Sequence, residues 1–73
     1  MCGIIGINSN KPVSATIINS LKKLEYRGYD SAGIATLSNG LINEIKSEGR
    51  VDNLEKNSLV QSMEGKIGIG HVR

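Results

Sequence analysis

The chain has 73 residues, a formal net charge of +2, one cysteine, one histidine, two tyrosines and neither Phe nor Trp. A domain of this size buries only about 60% of its unfolded surface, and a lone thiol excludes an internal disulfide, while one His and one Cys exclude a structural zinc site built from those ligands. The nine basic residues are interleaved with seven acidic ones, so no basic footprint for nucleic acid stands out, and no apolar run approaches the roughly 20 residues that cross a bilayer. The N-terminus carries no charged region followed by an apolar stretch, and a free cysteine suits a reducing compartment, so cytoplasmic residence is expected.

Residues 3 to 8, Gly-Ile-Ile-Gly-Ile-Asn, read as a buried strand that another backbone or a ligand approaches closely. From Ser14 the apolar residues Ile17, Leu21 and Leu24 recur at helical spacing beside Ile18, which predicts a helix from about 14 to 25 with Ser14 as N-cap. Lys22 and Lys23 suit the negative end of its dipole as a solvated face, and Arg27-Gly28 would close it. Ala32 to Leu37 and Leu41 to Ser47 then read as two strands joined by a tight Asn39-Gly40 hairpin. Val51, Leu54, Leu59, Val60 and Met63 predict a second amphipathic helix from about 51 to 63, ended by Gly65. Lys66 to Arg73 read as another buried strand, at the chain's end and with an open edge. The order strand, helix, strand, strand, helix, strand describes one α+β unit over residues 1–73, with no repeat or linker. The shortage of large rings and the open terminal edge both point to part of something larger.

Cys2 is the candidate for chemistry. Loss of the initiator Met1 would leave one residue holding both a thiol and an α-amine that titrates near about 7.7–8.0, a nucleophile with its own base. Gly3 after it removes bulk where a substrate must approach, and the strand gives it a rigid mount. By itself a cysteine at position two reads more simply as an inert, semi-buried small hydrophobe than as a catalyst, and a redox-sensing thiol is a further alternative. His71 is a possible Cys–His partner, but nothing in the spacing supports that pair, and a core histidine with satisfied hydrogen bonds is the simpler reading.

The opening MCGIIGI together with LEYRGYDSAGIA at 24–35 and the terminal GIGHVR resembles class II glutamine amidotransferases, whose glutaminase domains are N-terminal-nucleophile hydrolases. Tyr26-Arg27-Gly28-Tyr29-Asp30 resembles the branch whose acceptor is fructose-6-phosphate, rather than the branches with His-Arg-Gly-Gln-Asp or His-Arg-Gly-Pro-Asp there. The resemblance implies an α+β segment of a four-layer αββα glutaminase fold. It implies Cys2 as the nucleophile that forms a γ-glutamyl thioester, and Arg73 as the group that binds the glutamine carboxylate through its planar fork. Arg27, Gly28 and Asp30 match a supporting loop beside the nucleophile, where a surface ion pair in a helix C-terminal turn is the plainer alternative. No metal or organic cofactor is implied, and full-length relatives are expected to be homodimers.

The family pattern continues past Arg73 with a Trp-Ala-Thr-His-Gly loop, then an oxyanion-hole pair, an aspartate for the substrate amine and the isomerase domains. The chain is therefore expected to be a truncated N-terminal fragment without measurable glutaminase activity. Alternatives are a non-catalytic interaction module, half of a split enzyme that docks on its remainder, and an amidotransferase of another class II subfamily.

Overall fold

Alternating apolar residues, a helical apolar stripe and one hairpin dipeptide account for most of the architecture seen in the computed structural model, which describes residues 2–25 and 30–73. The elements in chain order are β1 (Gly3–Asn8), α1 (Ser14–Leu24), β2 (Ser31–Ser38), β3 (Leu41–Glu48), α2 (Val51–Glu55), α3 (Ser58–Gln61) and β4 (Ile67–Val72). The strands form one antiparallel sheet in the order β1-β4-β2-β3, so the fold class is α+β.

The hairpin forms at the expected dipeptide. Asn39 and Gly40 both have positive φ, 53° and 76°, the condition that a two-residue turn with the sheet's own twist imposes. The register Ser38↔Leu41 through Ser31↔Glu48 follows from that turn.

The last strand departs from expectation. β4 is not an open edge but sits between β1 and β2, hydrogen-bonded on both sides, and the free edges belong to β1 and β3. β1 is correspondingly an edge strand with alternating exposure rather than a buried one.

The helices lie on one face of the sheet. Ile17, Ile18 and Leu21 of α1, Val51 and Leu54 of α2, Val60 of α3 and Met63 pack with Ala32, Ile34 and Val72 into a single cluster. α1 fits closely because β4 presents glycines to it. A Cβ at Gly70 would stand 2.5 Å from Ile17 Cγ2, and one at Gly68 would stand 2.8 Å from the Ala35 carbonyl oxygen and 3.0 Å from Ile17 Cδ1.

Local details of the helices differ from the sequence pattern. Val13 is the N-cap of α1, with no side-chain cap bond, and Ser14 is the first helical residue and buried. The apolar series from 51 to 63 splits into α2 and α3, because Asn57 leaves helical geometry (ψ 120°) and its side chain accepts the Leu59 N–H, which starts a new turn. Lys22 is more than a solvated cation: its Nζ donates to Glu55 Oε1 at 2.6 Å and lies 3.8 Å from Asp52, tying α1 to α2. That bond to Glu55 raises the Lys22 pKa above 10.5. The expected closure of α1 at Arg27-Gly28 lies outside the described residues.

Among the described residues no element covers the opposite face. Strand alternation assigns to it Ile4 of β1, Ile67, Ile69 and His71 of β4, Gly33, Ala35 and Leu37 of β2, and Ile42, Glu44 and Lys46 of β3. Ile4 is 75% exposed, Ile42 74% and Ile69 53%. Among the described residues no helix is long and apolar enough to cross a membrane.

Candidate functional site

Antiparallel pairing of the first and last strands brings the two ends of the sequence together. Gly3 stands opposite Val72, so Cys2 and Arg73, seventy-one positions apart in the chain, come side by side at one end of the sheet. Both continue their strands' alternation onto the open face, Cys2 with Ile4 and Arg73 with His71. Cys2 is exposed, and a shallow pocket of about 310 Å³ is lined by Cys2, Gly3, Ile4, His71, Val72 and Arg73.

The backbone under Arg73 is fixed on the β2 side. Its N–H donates to the Ser31 carbonyl at 2.9 Å, and its own carbonyl accepts from Asp30 N at 2.6 Å and Ser31 N at 3.3 Å. The Asp30 carbonyl in turn accepts from Gly49 N at 2.8 Å, where Gly49 has φ 83°. Asp30 therefore meets the site through its backbone, as the link between the end of β4 and the turn after β3. Its expected companions Arg27 and Gly28 lie outside the described residues.

Gly3 has a different use from the one read off the sequence. A Cβ there would stand 3.0 Å from Leu24 Cδ1 and 3.4 Å from Val72 Cγ2, on the helix-covered side. Its missing side chain admits the end of α1 rather than a substrate, and this close packing sets the mount from which Cys2 projects.

His71 is half-buried on the open face and is not part of the helix-side core. Its register partner on β2 is Gly33, and a Cβ at Gly33 would collide with Nε2. The imidazole thus lies over β2, on the side of β4 away from β1, and its ring nitrogen is directed away from the strand that carries Cys2. A Cys2–His71 pair is not what this arrangement builds. Among the described residues no group of three or more His, Cys, Asp or Glu is gathered as metal ligands would be.

One residue that flanks the site has no counterpart in the sequence reading. The Glu25 side chain, at the end of α1 and only 4% exposed, accepts the Val51 N–H at 2.8 Å and lies 3.3 Å from Arg50. It caps α2 from a distance, offering an acceptor to an N-terminal N–H that has no partner within its own helix. No local pattern announces it, because its partners lie about 26 residues downstream.

No family model matches the chain. Comparison with curated proteins shows similarity along all 73 residues to glutamine–fructose-6-phosphate aminotransferases of the isomerizing type. The chain is 55% identical to that of Brucella abortus biovar 1 (strain 9-941), 49% to that of Bartonella henselae and 48% to that of Agrobacterium fabrum. It spans 12% of the length of each of these relatives and corresponds to their N-terminal part. The resemblance carried by the opening, the Tyr26–Asp30 motif and the terminal GIGHVR therefore extends through the whole chain.

Proposed function

We propose that residues 1–73 form the N-terminal part of the glutaminase unit of a glutamine–fructose-6-phosphate aminotransferase, with Cys2 as the nucleophile once Met1 has been removed. The observation that carries the reading is the meeting of Cys2 and Arg73 in one pocket through the β1–β4 register. A thiol that must attack a side-chain amide and a guanidinium that must hold an α-carboxylate have to stand beside one another, and these come from opposite ends of the chain.

In this reading the α-amine of Cys2 accepts the thiol proton, and the thiolate attacks the amide carbon of glutamine. The amine returns a proton to the departing nitrogen. Ammonia leaves, and a γ-glutamyl thioester on Cys2 is hydrolysed to glutamate. Arg73 fixes the substrate by a charge-assisted, bidentate contact to its carboxylate, so that the amide rather than the carboxylate lies at sulfur. Asp30 supports the strand end at Arg73 through its backbone, and Arg27 and Gly28 belong with it to the supporting loop that the family resemblance implies beside the nucleophile. No metal or organic cofactor enters these steps. A free thiol of this kind needs a reducing compartment, which supports cytoplasmic residence. The nitrogen acceptor, fructose-6-phosphate, belongs to the reading through the resemblance of the Tyr26–Asp30 motif and the names of the relatives.

The open apolar face supports the further expectation of an αββα arrangement, because a sheet with helices on one side and isoleucines on the other is suited to a second sheet lying on it. The groups that stabilise the oxyanion would come from outside these 73 residues. Supplying them is the test: the chain is co-expressed with the remaining part of a relative, and ammonia release from glutamine is measured. The chain alone is expected to show none, the pair to show activity, and Cys2→Ala in the pair to lower kcat by roughly 10³ or more. Retention of activity by Cys2→Ala would sink the proposal.

A further inference from the structure

Arg73 lies one residue beyond the last paired position of β4, since the register with both neighbouring strands ends at Val72. Among the described residues, the backbone bonds that hold it are all on the β2 side, to Asp30 and Ser31. Asp30 precedes β2, and its carbonyl is gripped by Gly49. That carbonyl and the Ser31 N–H belong to one planar peptide. Gly49 N–H holds the plane at its oxygen, 2.8 Å away, and the plane's other end donates to the Arg73 carbonyl at 3.3 Å. A rotation that released the first bond would turn the second away from its acceptor.

Gly49 can aim its N–H this way because of its own conformation. It leaves β3 at φ 83°, in the left-handed region, where most side chains are strained. The turn is then held from the helix side by Asn53, which brackets Gly49. Its Nδ2 donates to the Glu48 carbonyl at 3.1 Å, and its backbone N–H donates to the Arg50 carbonyl at 3.0 Å. With the residue on each side tied to α2, the N–H between them keeps its direction.

We infer that Gly49 is a positioning residue for Arg73: acting through the 30–31 peptide, it sets the strand end from which the guanidinium meets the α-carboxylate of glutamine. The ligand in this assignment rests on the glutaminase reading proposed above. The carboxylate end of glutamine does not react, so its contact with Arg73 is shared by the ground and transition states. Loosening that contact raises KM and leaves kcat nearly untouched. General loss of folded protein does the reverse, lowering the apparent kcat and leaving KM alone.

Two substitutions at Gly49 test this. Gly49→Asn keeps the left-handed backbone, which Asn tolerates, whereas the branched Cβ of Gly49→Val forces it out. Both place a Cβ against Asn53 Nδ2, 2.9 Å away in the present geometry, so that contact is common to the pair. In the full chain, amide hydrogen exchange read by NMR should quicken by roughly tenfold or more at Asp30, Ser31 and Arg73 in Gly49→Val. Ile34 and Ile69, on the two central strands, should be unchanged, and Gly49→Asn should stay near the parent values throughout. Asn53→Ala, which frees Glu48 and keeps Gly49, is a milder second variant and should move the same amides by a smaller factor. In the co-expressed pair, Gly49→Val should raise the KM for glutamine by roughly tenfold with kcat within about twofold, and Gly49→Asn should keep the parent KM. Exchange that quickens only within residues 48–53 overturns the inference. So does faster exchange at Arg73 with an unmoved KM in an active pair. The glutaminase reading fails by a different result, activity retained by Cys2→Ala, which no Gly49 variant touches.

Discussion

The two faces of β4 invert the usual relation between side-chain size and cover. Beneath α1, β4 presents Gly68 and Gly70, and the helix sinks until Ile17 and Leu21 touch the strand's backbone region. On the uncovered side the same strand presents Ile67 and Ile69. In a sheet with one wet face the large apolar residues turn to the helix and polar ones to water. Along β4 the helix packs closely because Gly68 and Gly70 are bare there, and the strand's open side is apolar. The sequence of β4 is thus suited to burial on both faces, with α1 as one layer and another apolar surface as the second.

Adjacent substitutions on β4 sharpen this difference. Gly70→Val should cost about 3 kcal/mol in urea denaturation, the upper part of the overpacking range, because a Cβ alone already stands 2.5 Å from Ile17 Cγ2 and two more carbons follow it. Ile69→Ala, one residue earlier and facing outward, should change stability by about 1 kcal/mol or less. Equal costs at the two positions would erase the distinction between the faces.

Glu25 ties the closed layer together at its end nearest the site. Glu25→Ala should cost about 1–2 kcal/mol, because the partly buried Val51 N–H loses its acceptor and Arg50 its partner. Hydrogen exchange would locate the effect: faster exchange confined to α2 supports the capping role, and no change there counts against it.

The smallest effect belongs to Lys22, which lies at the exposed margin of the same layer. Its bond to Glu55 raises its pKa above 10.5, so the stabilisation is fully present below pH 10.5 and is lost as pH rises through the higher folded-state value. The stability difference between the chain and Lys22→Met should therefore be small at pH 7 and vanish in the alkaline range above 10.5. A difference that persisted unchanged at high pH would place the effect in the lysine stem.

Much of the secondary structure was legible because local rules dictate it. The Asn39-Gly40 turn, the α1 stripe of Ile17, Ile18 and Leu21, and the strand runs at 3–8, 31–38, 41–48 and 67–72 all lie within one or two residues of the pattern-based reading. The break at Asn57 was missed because an apolar spacing continues across it, while the side chain's bond to Leu59 N–H ends the first helix. Glycine usage was only half legible: Gly3 signals a close neighbour, but not whether that neighbour is Leu24 or a substrate. Glu25 was invisible, since its acceptor role depends on the start of α2.

By itself the sequence determined which residues are candidates for chemistry and which segments are strand or helix, because nucleophilicity, turn geometry and apolar period are properties of near neighbours. Only the tertiary structure decided that β4 enters between β1 and β2. That insertion joins residue 2 to residue 73 and leaves one sheet face uncovered. Strand order is set by which faces must be buried together across the whole chain, and no window of a few residues contains that information.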